Sequence, residues 1–132
     1  SQTDDVLLIQ YEKDKDFKFL GDKDLMVHVL FNLVKNALYS IHKAGKGTIE
    51  LCVLEKEEFN VLKFKDTGTG ISKSNQDKIF DRFFTTTKIG SGIGLSFCSF
   101  VINLFKGKIE CDSIEGDYTC FTIYLPKLKI TE

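Results

Sequence analysis

His28, Asn32, Asn36 and Ser40 recur every four residues, a spacing that aligns them as one polar column along a helix flank. Asparagine forms helices poorly, so two of them in register need a reason. A neutral amide oxygen is a competent hard ligand for magnesium, which keeps waters and takes further oxygens from substrate phosphates. Two amides on successive turns can therefore hold one metal with its phosphates, or simply bond water on a solvated face. A second group, Asp66-Thr67-Gly68-Thr69-Gly70, directly follows an apolar run. It puts a carboxylate at the end of a strand and two glycines where backbone can pass close to a flat ligand. The carboxylate can accept from an amino group such as adenine N6, and the same residue types also build an ordinary turn.

A third group, Gly90-Ser91-Gly92-Ile93-Gly94-Leu95, leads into helical spacing. A glycine-rich approach to a helix N-terminus offers unpaired amide donors to phosphate. Lys88 stands just before these glycines and would reach phosphate from a loop. The run lacks the GK[ST] ending of a phosphate loop, and it lacks the leading strand and later acidic residue of a dinucleotide fingerprint. Half of the ten glycines, at 68, 70, 90, 92 and 94, surround Phe80, Phe83, Phe84 and Thr85-Thr86-Thr87-Lys88. That composition suits a ligand lid, and equally a long surface loop rooted by buried phenylalanines.

These groups must be positioned by regular elements. Residues 6–11 and 17–20 are short apolar segments around a charged turn, which predicts a hairpin on a sheet edge. Asp22 or Asp24 can cap a helix running to about Lys43, with Gly45 and Gly47 as its stop. Its apolar stripe is Met26, Leu30, Leu33, Val34, Ala37, Leu38 and Ile41. Ile49 to Leu54 and Phe59 to Phe64 form a second hairpin that runs into Asp66. Ser72 with Gln76 to Phe84 reads as a short helix, Ile93 to Phe105 as another, and Gly107 to Cys111 with Tyr118 to Leu125 as closing strands. Hairpins with helices between them predict an α+β layered sandwich, mostly antiparallel.

The 132 residues suit a single domain spanning 1–132, and 42% hydrophobic with 28% charged residues is a globular composition. Eighteen basic against nineteen acidic side chains leave no positive field for nucleic acid or an acidic membrane surface. Apolar runs fall far short of the ~20 residues that cross a bilayer, and no signal peptide is readable, so the expected location is cytoplasmic. Cys52, Cys98, Cys111 and Cys120 contain no CxxC pair, and His28 and His42 have no metal-binding spacing. Reduced, mostly buried cysteines are expected.

Taken in order, Asn32-Leu33-Val34-Lys35-Asn36-Ala37, Asp66-Thr67-Gly68-Thr69-Gly70, Phe80-Asp81-Arg82-Phe83-Phe84 and Gly90-Ser91-Gly92-Ile93-Gly94-Leu95 resemble the catalytic ATP-binding domain of bacterial sensor histidine kinases. The likeness covers roughly residues 15–126 and ends on Phe121-Thr122-Ile123-Tyr124-Leu125-Pro126, which looks like that family's last strand. The family belongs to a wider group with gyrase, Hsp90 and MutL. The resemblance implies a Bergerat-type α/β sandwich, with about five strands under about three helices, that binds ATP and magnesium beneath a mobile lid.

By position, it implies that Asn36 ligates magnesium and Asn32 supports it or touches phosphate. Asp66 takes the adenine amino group, Gly68 and Gly70 border the base, and Thr119 reaches the adenine side through water. Gly90, Gly92 and Gly94, with Leu95 after them, carry the lid over the phosphates, and Lys88 is the cation near the γ-phosphate. Two departures stand out. Tyr39 occupies a place where many kinases have lysine or arginine, which shifts phosphate contact to Lys43 or Lys88. His28 stands where related ATPases have a water-activating glutamate, so it is a candidate base for hydrolysis, a step that transfer to histidine does not need.

Nothing here resembles the segment that bears a phosphorylated histidine. The implied activity is thus transfer of the γ-phosphoryl to a histidine on a dimerisation domain outside this chain, with a response regulator downstream. The isolated piece is expected to be monomeric and inactive alone. A nucleotide-sensing interaction module without transfer, or a gyrase-like ATPase, would use the same nucleotide site. The stretch Asn36 to Ile41 followed by Gly45-Lys46-Gly47 is similar to quorum-sensing membrane kinases.

Overall fold

A computed structural model of the protein describes residues 9–13, by backbone alone, 19–86 and 92–128. The chain runs β1 (Ile9–Lys13), α1 (Lys23–Ala44), β2 (Ile49–Glu55), β3 (Phe59–Asp66), α2 (Lys73–Gln76), α3 (Gly94–Leu104), β4 (Lys108–Ile114) and β5 (Tyr118–Pro126). The strands form one sheet in the order β1-β2-β3-β5-β4. All neighbours are antiparallel except β1 and β2, so the α+β sandwich with a mixed, mostly antiparallel sheet is what the structure has.

The predicted N-terminal hairpin is corrected. β1 lies parallel to β2, with Ile9 opposite Ile49, and Phe19 and Leu20 belong to no strand. Residues 6–8, 17 and 18 lie outside the described ones. A parallel neighbour needs a crossover, and α1 supplies it between β1 and β2. The edge position expected for this segment is the one β1 takes.

α1 begins where Asp22 Oδ1 accepts the Leu25 N–H at 3.0 Å. It ends at Gly45, whose φ of 71° lets Gly45 N–H reach His42 O and Lys46 N–H reach Ile41 O. Met26, Val29, Leu33 and Ala37 form its buried face. Val29 thus joins the stripe, while Leu38, assigned to it from spacing, is 41% exposed on the outer flank. α3 crosses beside α1, with the Cys98 thiol 3.6 Å from Val29 O. Burial pushes the Cys98 thiol up to about 12, so it acts as a small hydrophobe. All four cysteines are free thiols, Cys98 buried and the other three half-buried.

Burial alternates along β5, where Thr119, Phe121, Ile123 and Leu125 face inward. Leu62 and Phe64 of β3 do the same, and these residues meet Leu33, Val101 and Ile102 in one core. The period of two then fixes a key placement. Asp66 shares the inner face with Leu62 and Phe64, and pairs across the ladder with Thr119. The last apolar residues of the sheet are followed, on the same face, by a carboxylate and a hydroxyl.

The predicted helix from Ser72 to Phe84 shortens to Lys73–Gln76. Beyond it the chain proceeds by turns, with Lys78 N–H on Asn75 O, Asp81 N–H on Lys78 O and Phe84 N–H on Asp81 O. Packing explains the change. Ile79 is buried and the Phe80 ring lies 6.1 Å from Phe121, contacts that tertiary structure sets against helical propensity.

Candidate functional site

A cavity of about 610 Å³ opens between α1, the connection from β3 to α2, the turns after α2 and the start of α3. It contains Asn32, Asn36, Asp66, Gly70, Gly92, Gly94, Leu95 and Thr119, the residues that sequence reasoning assigned to one site. Lys88 and Gly90 lie outside the described residues. Gly68 and His28 do not line it.

Each of those two has its own setting. A Cβ on Gly68 would come within 2.6 Å of the Ser40 carbonyl carbon, so this glycine lets the loop after β3 press onto α1. The exposed His28 ring stands edge-on to Phe97 with centroids 6.4 Å apart.

At the sheet end, Asp66 is only 3% exposed. Its Oδ1 accepts the Gly68 N–H at 3.0 Å. Burial raises its pKa above the ordinary carboxylate value, and the hydrogen bond from the Gly68 N–H opposes the rise. Ser40 Oγ accepts the Thr69 N–H at 2.8 Å and lies 3.0 Å from Thr69 Oγ1. Thr119 sits 3.2 Å from Ser113 Oγ. Since the Ser113 hydroxyl donates to Tyr118 O at 2.6 Å, the hydrogen of that pair belongs to Thr119. Ser113 Oγ also accepts the Ile71 N–H at 2.8 Å, and the Gln76 amide donates to Ile71 O and Ser113 O. Gly70, with φ of 67°, allows the backbone to cross β4: a Cβ there would lie 2.8 Å from Glu115 Cα.

Toward the start of α1, the two asparagines behave alike. Asn32 Nδ2 donates to His28 O and Asn36 Nδ2 to Asn32 O, each at 3.0 Å. The acceptors are carbonyls, so the amide nitrogens must face them and the amide oxygens point away from the helix backbone. Asn32 Oδ1 lies 3.0 Å from where a Cβ on Gly94 would be, so that glycine admits the amide at the start of α3. Ser40 and Asn32 are eight residues apart, about 12 Å along the axis, so the cavity runs beside two turns of helix. Lys35, Tyr39 and Lys43 add a second column on its rim. Their side chains interact locally, with Lys35 Nζ 5.5 Å from the Phe31 centroid and Lys43 Nζ 6.0 Å from that of Tyr39.

Sequence reasoning missed Lys35 and the roles of Thr69, Ser113 and Gln76. Ser40 was placed in the polar column without a partner. The repeat of four was the available signal for Ser40. Ser113 depends on strand register, which no local pattern reveals.

Among the described residues no group of three histidine, cysteine, aspartate or glutamate side chains could hold a metal by itself. The donor set fits magnesium in another way. Amide oxygens turned away from the helix backbone beside a cavity are hard neutral ligands of the kind that complete a shell provided mainly by phosphates and water.

The model for the histidine kinase-, DNA gyrase B- and HSP90-like ATPase family matches residues 21–129. The chain belongs to that family. It is 39% identical over 119 residues to the autoinducer 1 sensor kinase/phosphatase LuxN of Vibrio harveyi, covering 89% of this chain and 14% of that protein. It is 36% identical over 127 residues to the sensor histidine kinase WalK of Bacillus subtilis, covering 92% of this chain and 21% of WalK. The chain thus spans about a fifth or less of these relatives. Among solved structures, the catalytic domain of histidine kinase ThkA superimposes with a TM-score of 0.80 at 29% identity, covering 92% of this chain and 80% of that one. The chain is therefore an ATP-binding catalytic domain of the sensor histidine kinase type. No helix among the described residues is long and apolar enough to cross a membrane.

Proposed function

We propose that this domain binds Mg-ATP and passes the γ-phosphoryl to a histidine on a dimerisation domain of the same kinase, from which a response regulator receives it. The observation that carries this reading is the pairing, in one cavity, of a buried carboxylate with two outward-facing amide oxygens on α1, those of Asn36 and Asn32 lying about 6 and about 12 Å along the axis from Ser40. Asp66 accepts the adenine amino group, and Thr119 meets the base side through water. Asn32 and Asn36 face the phosphates. Asn36 and Asn32 would hold magnesium, which when bound neutralises phosphate charge. Lys88 and, in place of the usual basic residue at Tyr39, Lys43 or Lys35 add positive charge. Glycines 90, 92 and 94 let backbone approach the phosphates.

Phosphoryl transfer asks mainly for positioning and charge neutralisation, and no histidine is among the described residues that line the cavity. The acceptor then lies outside the chain, so 1–132 is a piece of a larger cytoplasmic kinase portion, monomeric and inactive alone. The likeness to LuxN supports a kinase of the quorum-sensing kind.

The test has two steps. ATP and ADP are titrated with and without magnesium into the domain by calorimetry, and labelled ATP is then mixed with the domain and a separately produced acceptor segment of its kinase. Saturable, magnesium-enhanced binding and label on the acceptor histidine are expected. Binding without transfer points to a nucleotide-sensing module, and no binding at millimolar nucleotide overturns the reading.

A further inference from the structure

Asp66, Thr119 and Ser113 form one row across the sheet. Asp66 pairs with Thr119 in the β3–β5 ladder and Thr119 pairs with Ser113 in the β4–β5 ladder, so the three side chains share a face, and all three are buried. Asp66 and Thr119 line the cavity, while Ser113, one strand further out, does not.

The hydrogen bonds around Ser113 settle where each hydrogen lies. Its Oγ is 2.6 Å from Tyr118 O, a separation that two oxygens reach with a hydrogen between them, and a carbonyl has none to give. The hydrogen is therefore the one Ser113 donates. One lone pair of Ser113 Oγ accepts the Ile71 N–H at 2.8 Å, and the other faces Thr119 Oγ1 at 3.2 Å. Thr119 thus spends its one hydrogen on Ser113 and keeps lone pairs for the cavity. None of this depends on a ligand: Tyr118 O and the Ile71 N–H are backbone groups, and the Gln76 amide holds Ile71 O and Ser113 O, each at 3.0 Å.

We propose that Ser113 is a positioning residue for base selection: by taking the hydrogen of Thr119 it fixes that hydroxyl as an acceptor beside the Asp66 carboxylate, so this end of the cavity favours a 6-aminopurine over a 6-oxopurine. The inference rests on the reading that Asp66 receives the 6-amino group. A hydroxyl free to turn would offer its hydrogen to a 6-oxo group, directly or through water, and would offset the repulsion of that oxygen by Asp66. A hydroxyl tied to Ser113 does not. The two acceptors then require hydrogens on the ligand side, which an amino group and a water beside it supply and an oxo group lacks.

The experiment titrates Mg-ATP and Mg-inosine triphosphate, which carries a 6-oxo group in place of the 6-amino group, into wild type, Ser113→Ala, Thr119→Val, the double variant and Asp66→Asn. Wild type is expected to prefer ATP. Ser113→Ala is expected to narrow that preference about tenfold, because Thr119 can then turn toward the ligand. In the Thr119→Val background the same substitution should leave the ratio unaltered. A merely structural role, through the Ile71 N–H, would weaken both nucleotides alike in either background, and that result overturns the assignment. Should Ser113→Ala not fold, proton NMR of wild type decides. The Thr119 hydroxyl proton is expected to exchange slowly and to lie close to the Ser113 Hβ protons with and without ATP; a proton that exchanges too fast to observe, or lies close to the adenine ring instead, overturns the inference. A wild type that does not distinguish the two nucleotides overturns the adenine reading and this inference together. A preference lost in Asp66→Asn and intact in Ser113→Ala overturns this inference alone.

Discussion

Around Asp66 the polar side chains are bonded to one another and to backbone: Ser40 to Thr69, Thr119 to Ser113, Ser113 to Ile71, with Gln76 closing the group. Around Asn32 and Asn36 the amides bond, among the described residues, their own helix and keep an oxygen outward, and Lys35 and Lys43 are exposed. The contrast matches two chemical tasks. Reading a flat base by one amino group needs an acceptor that cannot turn, so its neighbours are already paired. Neutralising phosphates that must move on needs ligands and charges that solvent and metal can reach. On the proposed reading, rigidity lies at the base end and latitude at the phosphate end.

Asp66→Asn should break the base end most completely. We expect ATP affinity to fall about 100-fold, about 2.7 kcal/mol, as the charged acceptor is replaced by a neutral amide. The melting temperature without nucleotide should hold or rise, because a buried charge that raises its own pKa is a cost to the folded state. Calorimetry and a thermal melt read the two effects. A lower melting temperature with unchanged affinity would make Asp66 a structural residue.

At the other end, Asn36→Asp adds a carboxylate beside the phosphates and a stronger ligand for magnesium. About a tenfold loss of ATP affinity is expected without magnesium, and a smaller loss with it, since metal screens the added charge. The melting temperature should barely move, as Asn36 is exposed and its amide donates to Asn32 O on its own helix. Equal losses with and without magnesium would take Asn36 out of the metal's reach.

A pH series sharpens the comparison further. Burial raises Asp66 above 3.8, so its proton returns at a higher pH than for a free carboxylate. Because the folded pKa is raised, the stability this group contributes is present below 3.8 and is lost as pH rises through the folded value. Binding has the opposite sign: ATP needs the ionised acceptor, so affinity falls as pH drops through the raised pKa. The difference between wild type and Asp66→Asn isolates this group from titration of the nucleotide. That difference should shrink on acidification, and a constant difference would remove the carboxylate from recognition.

Much of this arrangement could be read from spacing. The repeat of four from His28 to Ser40 predicted a polar flank, and Asp66 after an apolar run predicted a carboxylate at the end of a strand. What stayed hidden required knowledge of who lies beside whom. The parallel pairing of β1 with β2 depends on a crossover through α1, and the Ser113–Thr119 contact depends on register between β4 and β5. The turns from Asp77 to Phe84 carry helical residue types, but Ile79 and Phe80 are drawn into the core and the helix stops. The polar column itself divides. Ser40 joins the paired end, the two asparagines face the open end, and His28 lies beyond the cavity lining.

That division gives the smallest expected effect. His28 packs edge-on to Phe97 on the exposed side of the α1–α3 contact, and its backbone carbonyl, not its ring, receives Asn32. His28→Ala should change ATP affinity by no more than the about 0.5 kcal/mol typical of surface substitutions. Any fall in melting temperature would reflect the lost aromatic contact, worth about 0.5–1.5 kcal/mol at most. Steady release of phosphate from ATP, measured on wild type and variant side by side, should be equal. A clear loss in His28→Ala would place a water-activating base at this position, and the open end of the cavity would then extend one turn further along α1 than its lining indicates.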